Sequence, residues 1–252
     1  PDAERRETVG ENKYDDPVFF DKYSRMARSR QGLSGAGEWK TLEKLLPDFA
    51  GKRVLDLGCG YGWHCRYAAE HGAASVVGVD CSERMLAVAR EKTADLPQVT
   101  YVKGAMEDVD FSPESFDVVL SSLAFHYVED FPALREKIRR WLVPGGDFVF
   151  SVEHPIFTAR GDQDWLYGPG GEIDCFPVDN YFFEGRRRAV FLGEPVTKYH
   201  RTLTTYLDGL LTGGFALRRV AEPMPPEEML DIPGMRDELR RPMMLLVAAL
   251  RL

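Results

Sequence analysis

The chain has 252 residues, with 32 basic against 40 acidic side chains and a formal charge of −8. That length suits one α/β domain with additions, and the acidity argues against a partner held mainly through phosphates, so nucleic acid is not expected. Four cysteines without C-x-x-C spacing give no metal pattern and read as reduced, mostly buried thiols of a cytoplasmic protein. No signal peptide is visible, and apolar runs such as 243–250 fall far short of a membrane span.

In chain order, residues 1–13 are charged and aperiodic, the pattern of a mobile tail. Asp16-Pro17 then makes a helix start, Asp as cap and Pro in the first turn, with Phe19, Tyr23 and Met26 on one face. A glycine-rich loop over 31–37 leads to a second helix over about 38–46, with Leu42, Leu45 and Leu46 facing the core. From Lys52 the alternation is regular: strands near 53–57, 75–80, 99–103, 115–121 and 146–152, helices near 62–71, 82–93 and 130–142. This predicts a doubly wound, mostly parallel sheet. Residues 155–199 break the rhythm with Gly, Pro and aromatic residues, and Arg186-Arg187-Arg188 within them reads as a solvated turn. A segment this long is seldom idle. It leaves the carboxyl end of the fifth strand, the rim where open α/β sheets bind ligands. Together with the N-terminal helices it is expected to build the substrate pocket; a peripheral hairpin or subunit contact is the alternative. A helix over 201–212 and strands over 215–221 and 243–250 complete the core. The chain thus divides into a tail with lid helices (1–50), a cofactor-binding core (51–154), an inserted cap (155–199) and a completing segment (200–252).

Residues 53–62, Arg-Val-Leu-Asp-Leu-Gly-Cys-Gly-Tyr-Gly, carry an apolar strand into Gly58, Gly60 and Gly62. Glycines let a backbone turn tightly and approach a ligand closely. Dinucleotide sites want G-x-G-x-x-G, whose third glycine would fall on Trp63; the pattern here is D-x-G-x-G-x-G. Asp56 would repel two phosphates and welcome an ammonium group. A cofactor with an amino acid end and no phosphates is favoured, and S-adenosylmethionine fits. Asp80, ending the second strand, can accept both ribose hydroxyls; its alternative is a helix cap, for which Ser82 is better placed.

The pieces VLDLGCGYG at 54–62, VVGVDCSERML at 76–86, GAMED at 104–108, SFDVVLSSLAFHYVED at 115–130 and LVPGGDFVFSVEHP at 142–155 resemble, in order and spacing, a class I S-adenosylmethionine-dependent methyltransferase. The group is that of small-molecule methyltransferases, type 11 and quinone-biosynthesis-like. The resemblance implies a Rossmann-like seven-stranded sheet with the last strand antiparallel. It also implies Ser121 beside the methionine moiety and adenine near Ala105, Met106 and Glu107. Family members commonly carry an acid where Ala105 stands, so a Met106 backbone group or Glu107 must substitute. Cys81 and Met85, following Asp80, are counted with the cofactor site. Tyr14, Tyr23 and Trp39 are candidates to face the sulfonium, with core packing the alternative for Trp39.

The fourth strand ends in Ser-Ser-Leu-Ala-Phe rather than the Asn- or Asp-Pro-Pro-Tyr-like motif of enzymes that methylate nucleic-acid amines or protein glutamine. It also lacks the carboxylates a magnesium site needs. The acceptor is therefore expected to be a small molecule and the chemistry metal-free: in-line transfer to an O, N or C nucleophile, with a histidine base where one is needed. His154, His126 and His200 are the candidate bases; each is alternatively a hydrogen-bonded loop residue. Glu153 either orients a histidine, binds a cationic substrate or pairs with Arg160 or Arg201. Arg160, Trp165 and Tyr181 are the candidate lid contacts; His64 can approach the methionine end and His71 ends its helix. The competing readings are a non-catalytic S-adenosylmethionine-binding regulator and, disfavoured by Trp63 and Asp56, a nicotinamide-dependent oxidoreductase. Oligomeric state is not legible.

Overall fold

The computed structural model describes residues 12–252, so most of the expected tail lies outside the described residues. In chain order the elements are α1 (Pro17–Ser24), α2 (Ala27–Gln31), α3 (Trp39–Leu42), β1 (Arg53–Leu57), α4 (Trp63–Glu70), β2 (Ser75–Asp80), α5 (Glu83–Lys92), β3 (Val99–Lys103), β4 (Phe116–Ser122), α6 (Phe131–Trp141) and β5 (Leu142–Glu153). There follow α7 (Pro155–Thr158), β6 (Leu166–Tyr167), β7 (Ile173–Cys175), β8 (Gly185–Phe191), β9 (Glu194–His200), α8 (Leu203–Thr212), β10 (Phe215–Ala221) and β11 (Met244–Arg251).

Seven strands form one sheet in the order β10-β11-β5-β4-β1-β2-β3. β11 runs antiparallel to both neighbours, and the β1–β2, β1–β4, β2–β3 and β4–β5 pairs are parallel. This is the Rossmann-like arrangement expected. The winding reverses between β1 and β4, which opens a crevice at their carboxyl ends. Helices cover both faces because the central strands are apolar on both: Val54, Leu55 and Leu57 are all fully buried. α6 buries Phe131, Leu134, Ile138 and Trp141, one stripe at helical spacing, against Phe148 and Phe150 of β5. Leu42, Leu45 and Phe49 pack on the other face with Cys65 and Ala68 of α4. Asp16, Ser82, Asp130 and Thr202 each accept from a backbone N–H and cap α1, α5, α6 and α8.

Several expectations need correction. The first helix breaks at Arg25–Met26, where Met26 is extended and starts α2. The second helix tightens into a single 3-10 turn at Glu43–Leu45, because Pro47 forces Leu46 out of the helical region (φ −68°, ψ 144°). β5 begins at Leu142, earlier than expected, with the Pro144-Gly145-Gly146 turn looped out as its register against β4 shifts. Arg186, Arg187 and Arg188 lie inside β8 rather than in a turn. Arg187 is tucked inward, its Nε donating to Ala159 O at 2.7 Å. Only Cys59 and Cys65 are buried; Cys81 and Cys175 are exposed.

The 155–199 segment holds α7, the small β6–β7 hairpin and the longer β8–β9 hairpin. β9 turns Val196, Lys198 and His200 inward and buries all three. Among the described residues no helix is long and apolar enough to cross a membrane.

Candidate functional site

The turn after β1 is built by three glycines with positive φ: 73° at Gly58, 53° at Gly60 and 73° at Gly62. A Cβ on Gly58 would stand 2.5 Å from Ala124 Cβ, and one on Gly62 2.4 Å from Tyr101 Oη, so both positions are closed by packing. A Cβ on Gly60 would meet nothing within 4 Å, so this residue faces open space. The turn is tied to β2: the Gly58 and Cys59 N–H groups donate to Val79 O (2.8 and 3.0 Å), and the Gly60 N–H donates to Asp80 Oδ2 (2.9 Å). Asp80 Oδ1 accepts from the Ser82 N–H at 2.9 Å, while Ser82 Oγ caps α5 by accepting from Met85 N at 3.1 Å. Burial raises the Asp80 carboxyl above its ordinary value, against these hydrogen bonds.

Asp56 lies fully buried; among the described residues its hydrogen-bond partner is the Cys65 thiol, which donates to Oδ2 at 3.3 Å. Burial pushes this carboxyl up to about 7. Trp63, the first residue of α4, packs its indole against Gly32 and beneath the Lys92 ammonium (4.3 Å).

The N-terminal elements close over this turn. Asp15 Oδ1 accepts from Ser82 Oγ (2.6 Å) and from Arg84 N (3.1 Å), and Asn12 Nδ2 donates to Cys81 O (3.1 Å). Tyr14 stands edge-on to Tyr23 (5.3 Å) and Tyr127 (6.4 Å), and its hydroxyl donates to Tyr127 Oη at 3.5 Å. Tyr23 meets Tyr61, between the second and third glycines, at 5.7 Å. Arg28 donates to both oxygens of the buried Glu38 (2.9 and 2.9 Å) and so locks α2 to α3. Trp39 packs on Tyr67 and His64 within the core, which answers its alternative.

Ser121 spends its hydroxyl on Leu57 O (2.8 Å), leaving only its backbone toward the rim. Met85 is buried, Met106 reaches toward Gly58, and Cys81 and Glu107 lie on the surface beside Ala105. His64 is buried with Nε2 unpartnered and its pKa pushed down to about 4 by burial. It lines a cavity of about 10 Å³ with Leu42, Leu46, Leu120, Ser121, Ser122 and Val149. His71 stacks on Tyr67 at the end of α4.

The three candidate bases are held otherwise than expected. His154 caps α7, its Nδ1 accepting from Ile156 N at 3.0 Å, and Nε2 stands 2.7 Å from Glu222 Oε1 but out of line for a hydrogen bond. Nδ1 is thus spent on α7, and Nε2 faces Glu222, just after β10. His200 ends β9, just before α8; Nδ1 is 2.8 Å from Thr158 Oγ1 and Nε2 is 2.8 Å from Tyr181 O. It ties the insertion together and is not free to take a proton. His126 is buried in the loop after β4, its Nδ1 accepting from Glu153 N at 3.4 Å, and burial pushes its pKa down to about 4. A neutral imidazole that accepts at Nδ1 carries its proton on Nε2, so His126 offers a donor there.

Glu153 pairs with neither Arg160 nor Arg201. Lys198 Nζ donates to Glu153 Oε1 (2.6 Å) and Gln163 Oε1 (2.8 Å), and Gln163 Nε2 donates to Glu153 Oε2 (2.7 Å). Arg160 binds Asp162, and Arg201 donates to the carbonyls of Phe125, Val128 and Glu129. Trp165 packs on Phe176 (5.3 Å) beneath Arg241 (4.8 Å), and Tyr181 Oη accepts from Leu203 N (3.1 Å). Sequence reasoning missed Asp15, Tyr61, Tyr127, Gln163 and Lys198. Tyr61 was visible inside the glycine motif, and the alternation Val196, Lys198, His200 marks an inward lysine; Asp15, Tyr127 and Gln163 carry no local signal.

Two features fit a ligand with an amino acid end: the open side of Gly60, and the buried Asp56 carboxyl, which among the described residues is paired with a thiol and with no cation. A family profile described as a methyltransferase domain matches residues 55–150. A solved S-adenosylmethionine-dependent methyltransferase from Listeria monocytogenes is 54% identical, covering 88% of this chain and 99% of its own, with a TM-score of 0.84. Another from Mesorhizobium loti is 44% identical over 87% of this chain and 100% of its own, with a TM-score of 0.80. A Haemophilus influenzae protein that carries no functional name is 34% identical over 245 residues, 94% of this chain and 95% of its own. With 54% and 44% identity over nearly the whole of the two solved methyltransferases, joined to the glycine turn and the seven-stranded sheet, the chain belongs to the class I S-adenosylmethionine-dependent methyltransferases, enzymes that take S-adenosylmethionine as cofactor.

Proposed function

We propose that the chain moves the methyl group of S-adenosylmethionine to an oxygen, nitrogen or carbon nucleophile of a small metabolite, by in-line displacement without a bound metal. When bound, the cofactor supplies a methyl group on a sulfonium, a leaving group that needs no activation by the protein. What remains for the chain is to bind, align and exclude water.

Asp80 receives the ribose hydroxyls through lone pairs left beside its two backbone donors. The Gly58–Gly60 turn takes the amino acid end, with Asp56 compensating the ammonium charge. Cys81, Met85, Ala105, Met106 and Glu107 surround the adenine, and Ser121 offers backbone atoms to the methionine moiety. Tyr14 and Tyr23 face the sulfonium from the lid, where ring faces favour a cation. Residues 155–199 cap the acceptor side, with Glu153, Arg160, Trp165 and Tyr181 toward the metabolite. His126 contributes a donor, and His154 and His200 act as scaffold. β4 ends in serines rather than carboxylates, the feature on which the metal-free reading rests.

The observation that carries this reading is Asp80 at the tip of β2, bonded to Gly60, whose open side no side chain fills. Calorimetric titration with S-adenosylmethionine and S-adenosylhomocysteine tests it, followed by turnover to S-adenosylhomocysteine with a metabolite panel. Saturable binding and turnover with a small metabolite are expected; absence of binding overturns the site, and turnover only with protein or nucleic acid overturns the substrate class.

A further inference from the structure

The end of β5 holds a buried polar cluster that the cofactor does not require. Lys198 is 2% exposed, and its Nζ donates to Glu153 Oε1 (2.6 Å) and to Gln163 Oε1 (2.8 Å). An ammonium has three N–H donors. Two meet these oxygens, and among the described residues the third has no oxygen acceptor; Nζ stands 5.6 Å from the Phe191 ring centroid. Glu153 has both oxygens occupied, by Lys198 and by Gln163. Beside them His126 presents Nε2–H, likewise without an acceptor among the described residues.

Backbone strain surrounds the same cluster. Gln163 is held at φ 59° and Leu123, directly after β4, at φ 52°. Such conformations in residues other than glycine cost energy and persist where the surroundings over-determine them, often at functional sites. Gln163 adopts it while bridging Glu153 and Lys198. The cluster also adjoins the cofactor side: the Glu153 N–H donates to His126, Tyr127 follows in the same loop, and Tyr127 meets Tyr14, which stands against Tyr23 over the glycine turn.

We propose that Lys198, clamped by Glu153 and Gln163, is the acceptor-recognition group, and that with His126 Nε2–H it selects a methyl acceptor bearing an oxygen acid ionised at neutral pH, a carboxylate or an acidic phenol or enol. This rests on the methyl-transfer reading above. Two donors, one of them charged, favour an oxyanion and repel an ammonium. Such an acceptor also accounts for the histidines, none of which is placed to remove a proton. An oxyanion brings no proton to remove: the carbon–oxygen bond forms as the carbon–sulfur bond breaks, that bond's electron pair stays on sulfur, and the charges of anion and sulfonium cancel.

The test titrates the protein, saturated with S-adenosylhomocysteine, with acetate and separately with methylammonium, following the His126 Nε2–H resonance by NMR. Saturable acetate binding is expected, with no methylammonium response. Lys198→Met should weaken acetate at least tenfold. Because that variant strands Glu153, the double variant Glu153→Gln/Lys198→Met, which removes both charges, is measured beside it and should show the same loss. No saturable acetate response, an equal methylammonium response, or acetate binding unchanged in the double variant would each overturn the proposal. Calorimetry of S-adenosylhomocysteine on the same samples separates the two readings: loss of cofactor binding in the unmodified protein defeats methyl transfer, whereas intact cofactor binding without acetate binding defeats only this inference.

Discussion

The turn after β1 and the rim above β5 lie at the same end of one sheet but are made differently. The first is mostly backbone: three left-handed glycines, N–H groups donating to Val79 and Asp80, and one carboxylate at a strand tip, all within 54–82. The second is side chains drawn from far apart, His126, Glu153, Gln163 and Lys198, held in register by two hairpins and by burial. A backbone site tolerates loss of one side chain without strain elsewhere. A buried charge cluster does not, since each partner compensates another.

Substitutions can break that contrast. The largest effect is expected from Lys198→Ala, which leaves Glu153 buried without its cation: about 3–5 kcal/mol of stability lost by chemical denaturation, with the double variant Glu153→Gln/Lys198→Met losing much less. Equal losses would mean that the pair contributes net stability rather than mutual compensation.

Acid comes next. His126 has a folded pKa of about 4 against 6.5 for a free imidazole, so the fold holds it neutral while the unfolded chain takes up a proton. Its contribution is intact above pH 6.5 and is lost as pH falls from 6.5 toward 4, by up to about 3 kcal/mol. Asp56 acts oppositely over that range: its carboxyl is raised from 3.8 to about 7, so it costs stability as pH rises from about 4 to 7. Denaturation midpoints of the unmodified protein and His126→Gln at pH 7 and 4.5 therefore need comparing; the difference between them should shrink at the lower pH. A constant difference would show that His126 does not titrate as its burial implies.

Asp80→Ala should weaken S-adenosylhomocysteine binding by about 2–3 kcal/mol, roughly 30- to 150-fold, through lost charge-assisted hydrogen bonds. Melting of the cofactor-free protein should change far less, as expected of a backbone-built turn; unchanged affinity would remove Asp80 from the ribose. The smallest effect belongs to Asp16→Ala. It removes the cap that accepts from Val18 and Phe19 and should cost about 1 kcal/mol of stability, read from a denaturation curve.

The cofactor half was legible in the sequence because its determinants are local. Strand periodicity, glycines where φ must be positive, an acid at a strand tip and the caps Asp16 and Ser82 all act within a few residues of their effects, and β1, β2, α5 and β4 stand within a residue or two of expectation. The histidines show the opposite case. His126, His154 and His200 have the residue type of a base, but burial and partners at Glu153, Ile156, Thr158 and Tyr181 decide what each nitrogen does. Only the tertiary structure brought Lys198 to Glu153, 45 positions earlier, because pairing across an insertion depends on how its hairpins fold back on the sheet, and no local pattern encodes that path.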